Sequence, residues 1–175
     1  KTLFPYTTLF RSLVENDRII GGITPACAER AAAVYRTFVQ GELLITEART
    51  AEMSKLTENA FRDVNIAFAN ELSVICERLG IDVWELIRLA NHHPRVNILR
   101  PGAGVGGHCI AVDPWFIVDS SPDEAQLIAT SRKINDGKPA WVANKVMKLV
   151  EHLENPKVAC LGLAYKQPID SSWSV

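Results

Sequence analysis

TAEMSKLTENAFRDVNIAFANELSVICERL, residues 50–79, contains neither glycine nor proline. Its apolar residues fall at 53, 56, 60, 64, 67, 68, 72, 75 and 79, spaced mostly by threes and fours. That period gathers them on one side of an α-helix and predicts a single buried stripe. At ~1.5 Å of rise per residue such a helix would be roughly 45 Å long, more than a small domain needs. A helix of that length serves as a spine between domains or as a dimer surface.

Outward from it the pattern changes. Upstream, ENDRIIGGIT (residues 15–24) carries a β-branched run closed by Gly21-Gly22, which predicts a strand and turn. Thr24-Pro25 reads as an N-cap with proline at the first helical position, opening a helix to about Val39. Gly41 stops it, and ELLIT (42–46) completes a β-α-β pattern. Downstream, Gly80 ends the long helix, Asp82 caps a shorter one over VWELIRLAN, and Pro94 ends that. Residues from Asp123 to about Leu153 are helical again, with a break expected at Asp136-Gly137-Lys138-Pro139. KVACLGLAY (157–165) reads as an apolar strand. The expected fold is therefore mainly α: a helical central dimerisation domain with a long spine helix, flanked by truncated α/β (Rossmann-like) pieces. Its expected divisions are 13–48, 49–153 and 154–175. Residues 2–12, TLFPYTTLFRS, back-translate codon by codon into a widely used sequencing-library adapter, and residues 1–12 are set aside as non-native.

Composition narrows the classes of function. The 175 residues are 47% apolar with a net charge of −1, and both signs are interspersed. This is globular composition, and it argues against a nucleic-acid or membrane-surface partner. No apolar run approaches the ~18 residues of a membrane span. Cys27, Cys76, Cys109 and Cys160 are far apart, with no C-x-x-C, which predicts a reduced, cytoplasmic protein and no zinc ribbon.

The chemistry concentrates in PGAGVGGHCIAVDP, residues 101–114, with a literal G-x-G-x-x-G at Gly102, Gly104 and Gly107. A dinucleotide fingerprint needs a strand before these glycines and a helix after them. Pro101 stands directly before the first glycine, the preceding region is helical, and Pro114 restricts the chain soon after the third, so this reading is disfavoured. A metal centre would draw on His92, His93, His108 and Cys109, but adjacent residues rarely bind one ion together. No metal is expected. A thiol nucleophile at Cys109 is the third reading, with Asp113 on its face at i, i+4 if the turn is helical. A lone cysteine is more often a small buried hydrophobe, and Cys27, Cys76 and Cys160 fit that description. A cysteine hydrolase pairing Cys109 with His108 is disfavoured, because sequence neighbours do not easily form that hydrogen bond.

Residues 50–118, above all the Gly-Gly-His-Cys-Ile-x-x-Asp-Pro run, resemble the central domain of the UDP-glucose/GDP-mannose dehydrogenase family. The histidine and isoleucine around the cysteine resemble its branch acting on UDP-N-acetylhexosamines. NHHPRVNI (91–98) and DPWFIV (113–118) narrow this toward N-acetylmannosamine, with N-acetylglucosamine as the alternative sugar. The resemblance extends over residues 13–166. It implies a two-step, NAD-dependent oxidation of a sugar C6 alcohol to a carboxylate, in the service of bacterial surface polysaccharide synthesis.

By that resemblance Cys109 is the nucleophile, forming a thiohemiacetal and then a thioester. Lys55 stabilises negative charge on the sugar oxygen, Asn59 helps hold that oxygen or a water, and Asp113 orients water and moves protons. Lys55 and Asn59 are i, i+4 on the long helix, so both point at one place. Arg95 would reach a sugar across a homodimer interface. Gly102, Gly104, Gly106 and Gly107 would offer backbone amides to the nucleotide sugar, and Lys166 would meet the UDP. NAD is expected to bind mainly to a domain upstream of this stretch, and the chain alone is expected to be inactive. After Lys166 the family pattern decays, with Trp173 where an arginine is expected. A chain acting only as a helical dimerisation module is the competing reading.

Overall fold

The computed structural model describes residues 12–160. Their order is β1 (Arg18–Gly22), α1 (Pro25–Tyr35), β2 (Leu43–Glu47), α2 (Ala48–Leu79), α3 (Val83–Ala90), α4 (Asp113–Ser120) and α5 (Gln126–Val150). The fold is mostly helical with one small parallel sheet. Two compact units share it, one running to Thr57 and the other starting at Glu58, with α2 passing through the boundary.

In the first unit β1 and β2 pair in parallel, from Arg18 opposite Leu43 to Gly22 opposite Glu47. A parallel pair requires a crossover, and α1 supplies it. Thr24 caps α1 by accepting the Cys27 amide at 3.2 Å, with Pro25 in the first turn as expected. Ile20, Ala28 and Ala32 form the buried centre of this unit. The helix ends at Tyr35, short of Val39. Thr37 donates its hydroxyl to the Val34 carbonyl at 2.6 Å, and residues 36–38 tighten into turns.

In the second unit Gly80 follows α2 with φ +69°, the left-handed stop anticipated for it. Asp82 caps α3 by accepting the Trp84 amide at 2.8 Å. That helix closes at Ala90, before Pro94, and the Asn91 side chain instead ties off the following loop. Five expectations are corrected here. The stripe on α2 is not uniformly buried: Ala60 and Ala67 are inside, whereas Met53, Phe68, Ile75 and Leu79 are exposed. The remaining inward positions of α2 are largely polar: Asp63 and Asn70 face polar side chains of α5, and Asn59 bonds Asp113 of α4.

The expected break in α5 is absent, and Pro139 lies inside a continuous helix. An interior proline costs ~3 kcal/mol. Side chains bound on both sides of it offset that cost: Asn135 and Lys138 before it bond to α2, and Lys145 after it pairs with Glu77 at 2.7 Å. Pro114, expected to restrict the chain beyond the glycine loop, instead occupies the first turn of α4, where its missing N–H costs nothing. Of the cysteines read as small buried hydrophobes, only Cys76 is buried, and Cys27 and Cys160 are exposed. Residues 157–160 form no strand, and the rest of that expected strand, with Lys166, lies outside the described residues, as do residues 1–11.

Candidate active site

The glycine loop is seated by α2 and α5. Gly102 donates its amide to the Asn70 side-chain oxygen at 2.9 Å. At Gly104 an added Cβ would stand 3.1 Å from Pro139 Cγ, so the close approach of loop to helix favours glycine. Gly107 turns the chain with φ +95°, a conformation that other residues seldom adopt. Gly106 is exposed between them.

Past Gly107 the backbone coils. The Cys109 carbonyl accepts the amides of Val112 at 3.1 Å and Asp113 at 2.8 Å. Cys109 and Asp113 thus share one turn, the condition set for Asp113 to lie on the face of the cysteine. Cys109 is exposed, and Asp113 opens α4 with Pro114 buried behind it. Across the chain, buried Asn59 on α2 donates its amide to one oxygen of Asp113 at 2.6 Å. A neutral donor on a rigid helix thereby holds the carboxylate beside the thiol-bearing turn.

Lys55 is exposed on α2 in the first unit, four residues before Asn59. Arg95 is exposed on the loop that follows α3. The Asn91 side chain closes that loop, accepting the Ile98 amide at 2.7 Å and donating to its carbonyl at 3.0 Å. His92, His93 and His108 are all exposed.

Beneath the loop lies a buried polar seam. Arg132 pairs with Asp63 at 2.5 Å and with Asp136. Asn135 donates to the Asp63 carboxylate at 2.8 Å and accepts from Asn70 at 2.8 Å. Burial pushes the Asp63 carboxyl up, while the Asn135 hydrogen bond and the Arg132 guanidinium pull it down; the net direction is upward. Burial lowers the Lys138 ammonium, which lies 3.9 Å over the Trp141 ring and donates to Ser73. Reading by motif missed Asn70, Asn91 and Asn135. The only cue was an asparagine within apolar helical sequence, IAFANEL, where a solvated side chain is the usual explanation.

The loop does not fit the pyrophosphate of a dinucleotide. Among the described residues no strand leads into it, and the Gly102 amide is already bonded to Asn70. No helix of the described residues is long and apolar enough to cross a membrane.

Comparison with known proteins agrees with the residue pattern. Residues 49–137 match the model of the UDP-glucose/GDP-mannose dehydrogenase family, central domain. The chain is 65% identical over 162 residues to a UDP-N-acetyl-D-mannosamine dehydrogenase from Campylobacter jejuni, covering 93% of this chain and 40% of that protein. It is 62% identical to an NDP-N-acetyl-D-galactosaminuronic acid dehydrogenase from Ralstonia nicotianae, covering 93% of this chain and 38% of the relative. Among solved structures, the UDP-N-acetyl-mannosamine dehydrogenase Cap5O from Staphylococcus aureus superposes with a TM-score of 0.76 at 55% identity. That match covers 89% of this chain and 36% of the other. The chain thus spans about two fifths of the length of the curated relatives it matches. With the loop, the cysteine and the matched stretch in agreement, the chain belongs to the UDP-glucose/GDP-mannose dehydrogenase family.

Proposed function

We propose that this chain carries the thiol centre and substrate loop of an NAD-dependent 6-dehydrogenase for UDP-N-acetyl-D-mannosamine. The observation that carries the reading is the 2.6 Å bond from Asn59 to Asp113, which joins α2 to the turn that bears Cys109. The name of the Campylobacter jejuni relative supports N-acetylmannosamine as the sugar. UDP-N-acetylglucosamine is the alternative, and the Ralstonia nicotianae relative adds a galacto sugar to the comparison.

Two NAD molecules, bound in turn, would each accept one hydride. The chain's own residues do the rest. Once the C6 alcohol is oxidised to an aldehyde, the Cys109 thiolate adds to the aldehyde carbon. The resulting thiohemiacetal loses a second hydride and becomes a thioester. Water held near Asp113 attacks the thioester carbon and passes one proton to Asp113; the Cys109 thiolate then leaves, and the acid formed loses its remaining proton to solvent. Lys55 and Asn59 stabilise charge on the sugar oxygen. Gly102, Gly104, Gly106 and Gly107 line the substrate, and Arg95 reaches the sugar of a partner subunit. Lys166 meets the UDP in a segment starting at residue 154, beyond the helical domain over 49–153 and the α/β stretch over 13–48. Phe61, Phe68 and Ile75, exposed at seven-residue intervals on α2, support homodimer formation through that helix.

The test has two arms. Calorimetry on the chain should detect the UDP-sugar and no NAD; saturable NAD binding lost in Gly104→Val would overturn the reading of the loop. Replacing the matching 162 residues of the Campylobacter jejuni relative with those of this chain gives a complete enzyme to assay. There Cys109→Ser should form no acid, and two NADH released per active site in a single turnover would refute the nucleophile. Lys55→Ala should slow the rate by ~10²–10³ and Lys55→Arg by less.

A further inference from the structure

We infer that Asn70 is a positioning residue for the glycine loop, and that the polarity of the α2–α5 seam sets the direction in which its amide points. The inference rests on the proposed function only for what the loop holds.

The seam permits one arrangement of donors and acceptors. Asp63 Oδ1 receives the Arg132 guanidinium at 2.5 Å, so it offers nothing to donate. Asn135 faces both that oxygen, at 2.8 Å, and the Asp63 backbone carbonyl, at 3.0 Å. Both neighbours are acceptors, so Asn135 turns its NH₂ toward them and its carbonyl toward Asn70. Asn70 answers with its own NH₂ at 2.8 Å, which leaves Asn70 Oδ1 directed at the Gly102 amide, 2.9 Å away. With either amide reversed, carbonyl would oppose carbonyl or N–H would oppose N–H in a buried seam. Lys138, three residues on from Asn135 along α5, fixes the same turn of α2, bonding the Asn70 backbone carbonyl and Ser73. The loop's second anchor is Gly104 against Pro139, on the same helix as Asn135.

The partners of this relay are 65 to 72 residues apart in the chain except at the loop, where Asn70 and Gly102 are 32 apart. A charge pair at one end therefore orients a neutral amide at the other. That amide fixes the start of the loop that ends at Cys109.

Proton exchange at individual amides of the ¹⁵N-labelled chain tests this without reference to activity. In Asn70→Leu, exchange at Gly102 should quicken about fivefold, the worth of one modest hydrogen bond, while α4 and α5 keep their protection. Unchanged exchange at Gly102 overturns the inference. Should Asn70→Leu fail to fold, Gly102→Pro removes the same bond from the loop, because proline has no N–H to donate. Its readout is ligand binding, and unchanged binding there overturns the inference equally. Binding of UDP-N-acetylmannosamine supplies the second readout. Each variant should weaken it about fivefold, and the double variant no further, because both remove one bond. Additive losses would refute the positioning role. A parent chain that binds no UDP-sugar, with the Gly102 response intact, would refute the proposed function and leave the grip of Asn70 standing.

Discussion

The two faces of α2 within the second unit reverse the usual distribution of residues. The face inside carries Asn59, Asp63 and Asn70 among alanines, each 4% exposed or less. The other carries Phe61, Phe68 and Ile75, between 45% and 68% exposed. Large apolar side chains ordinarily drive burial, yet here they stand outside while amides and a carboxylate are enclosed. A polar seam costs desolvation and returns orientation: its bonds are directional, so each partner has one place to be. The inner face works as a jig for the loop and for Asp113. The outer face, with its seven-residue spacing, is the one on which the proposed homodimer rests.

Breaking the inner face should have the largest effect. Asp63→Ala leaves the Arg132 guanidinium buried and half-partnered, a change that costs ~3–5 kcal/mol where such pairs are broken. Urea unfolding would measure it, and a loss under ~1 kcal/mol would mean the seam is solvated in solution. Asn59→Leu comes next. It removes the donor from Asp113, and loss of a hydrogen bond to a charged group is worth ~1.5–3 kcal/mol. In the chimera the loss should appear as a lower kcat more than a higher KM.

On the outer face Phe68→Ser should change the unfolding free energy of the monomer by no more than ~0.5 kcal/mol, as exposed substitutions usually do. Its effect should fall on association: sedimentation should show dimer in the parent and monomer in the variant. A parent that is monomeric at high concentration would break the comparison. The smallest effect concerns Lys138. Burial lowers its proton affinity below the ordinary lysine value of 10.5. Between that lowered value and 10.5 the unfolded chain holds a proton that the folded chain has released, so stability rises with pH across the window. Lys138→Met should remove this rise, seen as flatter urea midpoints on the alkaline side.

Local chemistry was legible wherever one residue acts on its neighbours. Thr24, Asp82 and Gly80 announced helix ends because capping is decided within four residues. Prolines misled, since their meaning depends on what surrounds them: Pro139 stays in α5 through contacts on both sides, and Pro114, expected to restrict the chain after the loop, lies in the first turn of α4. The cysteine turn was readable as a motif, but whether Asp113 reaches Asn59, 54 residues away, was not.

The sequence by itself determined the long helix, the parallel β-α-β unit, the glycine turn before Cys109 and the family, because periodicity and short motifs are local properties. Only the tertiary structure decided which side of α2 turns inward. A period of 3.6 gathers residues on a side but does not say what meets it. The partners that settle it, Arg132, Asn135 and Lys138, stand 65 or more residues further along, and their buried donors and acceptors required Asp63 and Asn70 to face them.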